Sequence, residues 1–178
     1  LAAGLTPEDI HAGLASFSVD HHRTELVAEV EGVRWVDDSK ATNPHAAGAS
    51  LAAFPSVVWI VGGLLKGVDL SELVAAHAGR VRAAVIIGVD RSTVREVFAR
   101  HAPDVPVWEV EANDTEEVMS HAVRFAAASA RPGDTVLLAP AAASMDQFTD
   151  YADRGRRFAA AVAEQVGGGR HDDDPTSA

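Results

Sequence analysis

Short apolar runs alternate with segments of helical pattern along most of this chain. Residues 57–61, 83–87, 105–110 and 135–138 are rich in valine, isoleucine, leucine and alanine, and short links join them to the segments that follow. Continuous apolar runs of this length are typical of parallel strands that are buried on both faces. The alternation therefore predicts an α/β fold, with a Rossmann-like, mostly parallel sheet and helices on both faces.

The remaining segments complete this predicted architecture. The helical patterns cover residues 6–17, 70–77, 91–100, 114–129 and 148–166, and a further helix starts at Asn43-Pro44. Two β-prone runs, residues 25–30 and 33–36, flank Glu31-Gly32. A glycine in a two-residue link favours a tight turn. These runs predict an antiparallel hairpin at one edge of the sheet.

Composition limits the possible functions. The chain has 178 residues, a net charge of −11 and no cysteine. The length suits one domain with a buried core. The acidic balance argues against binding to nucleic acid or to an anionic membrane surface, and the lack of cysteine excludes disulfides and zinc–thiolate sites. No apolar run approaches the ~20 residues of a membrane span and no secretory signal is visible, so we expect a cytoplasmic protein.

Polar or glycine-rich loops follow three of the predicted strands. They are residues 37–44, 62–67 and 140–146. In open α/β sheets, ligands bind at the carboxyl ends of the strands, so these loops are expected to converge on one edge. Both lysines of the chain, Lys40 and Lys66, lie in them, while every other basic residue is arginine. This convergence predicts a binding site.

Each loop offers groups that can bind an anionic ligand. Lys40 and Lys66 supply positive charge, Thr42 and Ser144 supply hydroxyls, and the helix start at Asn43-Pro44 presents backbone N–H groups. Any single loop could be only a turn or a helix cap. The phosphate-binding loop G-x-x-x-x-G-K-[ST] and the dinucleotide fingerprint are absent, so we assign no catalytic residue and no metal ligand. We interpret His21-His22 as a surface connector.

Three strings of residues resemble the Mur ligase family, and its D-glutamate-adding members in particular. They are D-D-S-K-A-T-N at residues 37–43, the Gly62-Gly63 pair with K-G-V-D-L at residues 66–70, and P-G-D-T-V-L-L at residues 132–138 followed by A-S-M-D-Q-F at residues 143–148. The resemblance covers about residues 19–166, with Ala142 where relatives usually have cysteine and Tyr151 where many have phenylalanine. The Leu64-Leu65 pair is more apolar than the family pattern.

The resemblance implies a domain organisation. Residues 1–18 would be the last helix of a preceding central ATPase domain, residues 19–166 the C-terminal Rossmann-like domain, and residues 167–178 a disordered tail. The chain begins at Leu1 rather than Met, and we interpret it as part of a longer protein. The missing N-terminal and central domains would be its partners within a monomer that binds neither nucleic acid nor membrane.

The resemblance also implies an activity and a set of site residues. Family members use ATP and Mg²⁺ to form an acyl phosphate on UDP-N-acetylmuramoyl-L-alanine, and the amine of D-glutamate then attacks it. This is a step of peptidoglycan precursor synthesis, and so of cell-wall biogenesis, cell shape and cell division. The fragment alone would be inactive and would bind no cofactor tightly. The implied D-glutamate contacts are Thr42, Lys66, Ser144, Met145 and Tyr151, and the implied ATP contacts are Arg23, Asp38 and Lys40.

Two other functions remain open from the sequence. The chain could be a stand-alone, flavodoxin-like module that binds a small molecule without other domains. It could also be a structural or interaction domain in which the three loops are only turns.

Overall fold

The computed structural model describes residues 4, 6–16, 20–111 and 115–168, which contain six strands and six α-helices. The strands are β1 (Glu25–Val30), β2 (Val33–Asp37), β3 (Val57–Gly62), β4 (Val81–Ile87), β5 (Val107–Glu109) and β6 (Thr135–Leu138). The helices are α1 (Pro7–Ser16), α2 (Pro44–Ala52), α3 (Ser71–His77), α4 (Ser92–His101), α5 (Thr115–Ser129) and α6 (Tyr151–Gly168). None of these helices is both long and apolar enough to cross a membrane.

The strands form one sheet in the order β1-β2-β6-β3-β4-β5. Only β1 and β2 pair antiparallel, and the other neighbours are parallel, as the sequence predicts. Glu31 and Gly32 connect β1 to β2 with φ angles of 52° and 76°. Positive φ at both central residues is the geometry of a tight hairpin turn that follows the sheet twist. The predicted edge hairpin is therefore confirmed.

The core lies in two layers, one on each face of the sheet. Along β3, Trp59 points to the layer that contains α2, α3 and α4, whereas Ile60 points to the layer that contains α5 and α6. Successive side chains of a strand alternate between faces, so a strand covered on both sides must be apolar throughout. All six residues of β3 are buried. The predicted helices on both faces are confirmed.

Several element boundaries differ from the predicted ones. The last helix begins at Tyr151 rather than Phe148, because residues 144–150 form turns in which the carbonyl of Ser144 accepts the N–H groups of Gln147 and Phe148 at 3.1 and 2.9 Å. Strand β5 is shorter than the predicted run, and α6 continues to Gly168. The predicted helix residues Phe17 and Asp114, and most of the predicted tail, lie outside the described residues.

Candidate functional site

The three loops predicted to form a site meet at the carboxyl edge of the sheet. The N–H of Gly62 donates to the carbonyl of Pro140 at 2.9 Å. Leu64 and Ala143 form an isolated antiparallel bridge, with N–H···O distances of 2.9 and 3.2 Å. Residues 37–44 join this assembly through the N–H of Ala141, which donates to the carbonyl of Ala41 at 2.9 Å. The loops are thus held together by their own backbones.

Glycine is required where these backbones approach one another. A Cβ atom added to Gly62 would lie 2.3 Å from the carbonyl oxygen of Ile87, and one added to Gly63 would lie 2.5 Å from that of Ala143. Gly88 is similar, because its added Cβ would lie 2.8 Å from the nitrogen of Gly63. All three have φ between 110° and 124°, a region that only glycine adopts easily. Direct backbone packing at Gly62, Gly63 and Gly88 therefore fixes the relative positions of the loops.

An open cleft of about 580 Å³ lies between these loops at the carboxyl edge of the sheet. Residues 63–69 form one side, Val89, Asp90 and Thr93 form the other, and Asp146 contributes from a third loop. Lys66 is exposed in the cleft and has a φ of 54°, which a lysine adopts only at some cost. Strained backbone of this kind concentrates at functional sites.

Of the residues expected to contact D-glutamate, only Lys66 lines the cleft. Thr42, Ser144 and Met145 lie in the connected loops outside its lining, and Tyr151 is the first residue of α6. Ser144 is buried and Met145 is 61% exposed, and both follow the Leu64–Ala143 bridge that joins their loop to the loop of Lys66. Thr42 is half-buried, beside the Ala41 carbonyl that the 140–146 loop binds. Tyr151 contacts Lys40 rather than Lys66. The Lys40 ammonium nitrogen lies 5.2 Å from the centre of the Tyr151 ring.

The residues expected to contact ATP form a second group. Arg23 and Lys40 both bind the carboxylate of Asp20, at 3.4 and 3.3 Å. Asp38 is buried, and its two oxygens accept hydrogen bonds from the Thr24 N–H, at 3.2 Å, and from the Ser50 hydroxyl. Arg23 and Lys40 therefore share one exposed carboxylate, while Asp38 holds the loop onto α2.

His22 is not the surface connector that the sequence indicated. Its side chain is 13% exposed, and its Nδ1 lies 2.6 Å from Oδ2 of the buried Asp37. Burial raises the pKa of Asp37, and the hydrogen bond from His22 opposes that rise. Glu25 accepts the backbone N–H of His22 at 2.9 Å. His22, Glu25 and Asp37 lie close enough to share a metal ion, but in this structure they bind one another.

Arg154 is a buried residue that the sequence analysis did not identify. Its guanidinium donates to the hydroxyl and carbonyl of Ser39, at 2.9 and 2.8 Å, and to the carbonyl of Ala142 at 3.2 Å. Burial lowers its pKa to about 10, and the charges of Asp146 and Asp37 oppose that change. The sequence did offer one signal that Arg154 is buried. It precedes Phe158 by four residues, so the two share the buried face of α6.

The loop after β4 is the second feature that sequence reasoning missed. Gly88 and Val89 donate their backbone N–H groups to the side chains of Gln147 and Asp146, at 2.6 and 3.0 Å. This loop thereby joins the edge formed by the other three. Its signal was Gly88, which directly follows a buried apolar run, as Gly62 does.

An open, mostly parallel sheet with linked loops at its carboxyl edge is a Rossmann-like fold, and in such folds that edge is where ligands bind. A family model described as Mur ligase, glutamate ligase domain, matches residues 22–142. The chain therefore belongs to the Mur ligase family, and the resemblance seen in the sequence is confirmed.

The chain is similar to curated proteins named UDP-N-acetylmuramoylalanine–D-glutamate ligase. It is 62% identical to the protein of that name from Leifsonia xyli over 99% of this chain and 34% of that protein. It is 56% identical to that of Streptomyces coelicolor over 92% of this chain and 34% of that protein. The chain thus spans about a third of the length of these relatives.

One solved structure supports the fold. The UDP-N-acetylmuramate-alanine ligase from Thermotoga maritima superposes with a TM-score of 0.58 at 15% identity, covering 92% of this chain and 35% of that one. These comparisons do not favour the alternative of a stand-alone flavodoxin-like module.

Proposed function

We propose that this chain is the C-terminal domain of an ATP-dependent ligase that adds D-glutamate to UDP-N-acetylmuramoyl-L-alanine. The observation that carries the proposal is 62% identity, across 99% of the chain, to a relative named for that reaction. The chain covers 34% of that relative, so the N-terminal and central domains would belong to the longer protein that contains it. Because the reaction uses ATP and makes a peptidoglycan precursor, we expect it to occur in the cytoplasm.

In this proposal the cleft beside Lys66 receives D-glutamate. The Lys66 ammonium is a compact positive charge that pairs with a carboxylate, and the cleft leaves it exposed. Thr42, Ser144, Met145 and Tyr151 would be the further contacts, from positions beside the cleft rather than in its lining. Together they would hold the amine of D-glutamate against the activated carboxyl group, because orientation lowers the barrier to such a reaction.

The second group of residues would face the ATP phosphates. Arg23 and Lys40 share Asp20 in this structure, and phosphate oxygens can replace that carboxylate in both interactions. Asp38 would keep the loop of Lys40 in place through its bonds to Thr24 and Ser50. Mg²⁺, when bound, neutralises phosphate charge. We propose that its ligands come from the rest of the longer protein, because the described His22, Glu25 and Asp37 bind one another.

Titration of the labelled chain with D-glutamate tests the site directly. We expect saturable amide NMR shifts at Thr42, Lys66 and Ser144, which are larger with D-glutamate than with L-glutamate. The same titration is repeated with the longer protein, because the site could form only when the other domains close on this one. Absence of shifts in both would contradict the proposal.

A pair of lysine substitutions separates the two ligands in the longer protein. Lys66→Ala is expected to raise the KM for D-glutamate by roughly tenfold or more, the value of a lost charged hydrogen bond, and to leave the KM for ATP nearly unchanged. Lys40→Ala is expected to have the reverse effect. An unchanged KM for D-glutamate in the Lys66 variant would remove Lys66 from the site.

A further inference from the structure

The backbone is strained on both sides of Arg23. His22 has a φ of 64° and Thr24 has a φ of 47°, so both residues lie in the left-handed region. Histidine adopts that region at modest cost, but a β-branched residue such as threonine is an outlier there. Strain of this kind persists only where the surrounding structure enforces it, and it concentrates at functional sites. Residues 22–24 are therefore held in a shape that they would not adopt by themselves.

Three hydrogen bonds fasten this strained segment to the loop after β2. The carbonyl of His22 accepts the backbone N–H of Lys40 at 3.1 Å, and the N–H of Thr24 donates to Oδ1 of Asp38 at 3.2 Å. The His22 ring adds the third, since its Nδ1 lies 2.6 Å from Oδ2 of Asp37. Both carboxylates are buried, where a hydrogen bond is electrostatically stronger than in water. The loop thus holds the segment at both of its strained residues.

The side chain between these two anchors converges with a second cation. Nε of Arg23 lies 3.4 Å from Oδ2 of Asp20, and Nζ of Lys40 lies 3.3 Å from the same oxygen. Arg23 and Asp20 are exposed, and Lys40 comes from a different segment of the chain. Two cations that meet at one anionic oxygen suit a phosphate group, because charge-assisted bonds to phosphate oxygens are strong. The anchors on either side of Arg23 bring it to Lys40.

We propose that His22 is a positioning residue that holds Arg23 beside Lys40, so that both cations bind one phosphate group of ATP. It acts through Asp37. One oxygen of that carboxylate binds the His22 ring, and the other accepts the N–H of Ser39 at 2.8 Å. Ser39 directly precedes Lys40, so a single buried carboxylate fixes both segments that carry the cations. This role rests on the proposed function, in which Arg23 and Lys40 contact ATP.

Tyr151 supports the same arrangement from α6. Its ring lies edge-on to that of His22, with 6.4 Å between the ring centres, and the Lys40 ammonium lies 5.2 Å from the centre of the Tyr151 ring. The carbonyl of Tyr151 accepts the hydroxyl of Ser39 at 2.7 Å. One residue therefore contacts the strained segment and the loop after β2 together, which favours a fixed distance between them.

Substitutions at position 22 separate the hydrogen bond of the ring from the backbone strain. His22→Gly adopts positive φ freely but removes Nδ1. His22→Asn also tolerates positive φ, and its side-chain amide can donate from about the place of Nδ1. His21→Gly is a matched control that adds the same flexibility one residue earlier, because His21 is exposed and its ring binds Glu25. Thermal unfolding of each variant shows whether the domain remains folded.

The measurement is steady-state kinetics of the longer protein with ATP and D-glutamate. For His22→Gly we expect the KM for ATP to rise by about tenfold, as for one weakened charged hydrogen bond, and the KM for D-glutamate to stay nearly unchanged. His22→Asn and His21→Gly should resemble the wild type. A smaller folded fraction would lower kcat and leave both KM values unchanged, and that result would overturn the positioning role. An equal rise of both KM values, or a His22→Asn variant no better than His22→Gly, would also overturn it.

Failure of the proposed function would give a different result. A wild-type longer protein that does not use ATP would overturn the proposed function, and with it the role in ATP binding. Hydrogen exchange of the 178-residue chain then tests the anchoring alone. Faster exchange of the Lys40 and Thr24 amides in His22→Gly, but not in His22→Asn, supports the anchoring, and equal exchange in all variants overturns it.

The unsubstituted chain provides the test if His22→Gly does not fold. Protection of the Lys40 and Thr24 amides from exchange would support the anchoring. Exchange of both amides at the rate of an unstructured peptide would overturn it, because a persistent hydrogen bond slows exchange.

Discussion

Arg154 illustrates how one charged side chain can connect distant parts of this domain. It extends from α6 into the space between the loops after β2 and β6, and it donates to Ser39 in the first and to Ala142 in the second. A buried cation loses hydration, and its hydrogen bonds must compensate for that loss. The nearby charges of Asp146 and Asp37 favour its protonated form. The position of both loops therefore depends on this residue.

Substitution of Arg154 is expected to destabilise the fold strongly. Arg154→Met preserves much of the volume but leaves the carbonyls of Ser39 and Ala142 without these donors. Two unsatisfied buried acceptors correspond to a loss of about 3 kcal/mol in the free energy of unfolding. Arg156→Met, on the exposed side of the same helix, should change it by less than about 0.5 kcal/mol. Urea denaturation of both variants checks this, and equal stability of the two would contradict it.

Asp134 provides a pH-dependent test at the opposite edge of the sheet. Its buried carboxylate accepts hydrogen bonds from Arg82, Ser56 and the N–H of Arg131, at 2.5, 2.6 and 2.8 Å. Burial alone would raise the pKa of Asp134, but these bonds outweigh it, so the pKa lies below the ordinary value of 3.8. A depressed pKa means that the folded state is stabilised above about pH 4 and loses this contribution as the pH falls through the folded value.

Asp134→Asn is therefore expected to be less stable than the wild type at neutral pH. The loss should be about 1–3 kcal/mol, as for a hydrogen bond to a charged group. The difference should shrink as the pH falls below about 3.8, because the unfolded carboxyl is then protonated, and it should be lost once the pH has fallen through the lower pKa of the folded state. Denaturant unfolding of both proteins across this range provides the measurement, and a difference that does not depend on pH would exclude the charge as its cause.

At the scale of elements, α6 packs closely on the end of β2 because of one glycine. A Cβ atom added to Gly155 would lie 2.2 Å from Nδ1 of His22 and 2.6 Å from Oδ2 of Asp37. The helix therefore accommodates the His22–Asp37 pair in the space that a side chain at position 155 would occupy. Gly167, near the other end of α6, has no atom within 4 Å of its added Cβ.

These two glycines predict opposite effects of the same substitution. Gly155→Ala is expected to separate His22 from Asp37 and to destabilise the domain by about 1–3 kcal/mol, because the added methyl overpacks a buried site. Gly167→Ala is expected to be neutral or stabilising by up to about 1 kcal/mol, because alanine is the better helix former. Thermal unfolding distinguishes them, and a tolerated Gly155→Ala would show that α6 can shift.

Element types were predictable from the sequence, whereas several boundaries were not. The apolar runs of β3 and β4 extend over whole strands, so their pattern is a strong signal. The start of α6 depends instead on which N–H groups the carbonyl of Ser144 accepts, and that choice is made by tertiary packing. The spacing of apolar side chains along the sequence carries no information about such backbone hydrogen bonds.

The candidate site shows the same division. Lys66 and Thr42 could be placed in loops at the carboxyl edge of the sheet, because the strands that precede those loops have a clear apolar pattern. Gly88 and Val89 contribute only backbone N–H groups, which every residue except proline has. The His22–Asp37 pair joins residues far apart along the chain, so a sequence pattern did not reveal it.

The whole molecule is acidic, with a net charge of −11, and its proposed anion contacts are single side chains rather than a basic surface. Arg23 and Lys40 lie on one side and Lys66 on the other. A site of this kind binds anions weakly without further groups, because the protein's overall field repels them. The remaining affinity for ATP would have to come from the other domains of the longer protein.

The isolated chain is therefore expected neither to hydrolyse ATP nor to form amide bonds. The sequence contains no phosphate-binding loop, and an enzyme of this reaction class requires both phosphate and metal contacts. Phosphate release and coupled product analysis with the purified chain, ATP, Mg²⁺ and D-glutamate check this. Addition of the missing domains in trans is the positive control, and ATP-dependent amide formation by the chain alone would refute the prediction.

The strand order affects how this chain can fold while it is being synthesised on the ribosome. Strand β6 lies between β2 and β3 at the middle of the sheet, yet it is the last of the six described strands to be synthesised. Translation at about 5–20 residues per second takes several seconds to pass from β3 to β6. During that interval β2 and β3 each present an unpaired apolar edge, which invites aggregation. The nascent chain is therefore expected to depend on chaperones most strongly just before residue 135 emerges.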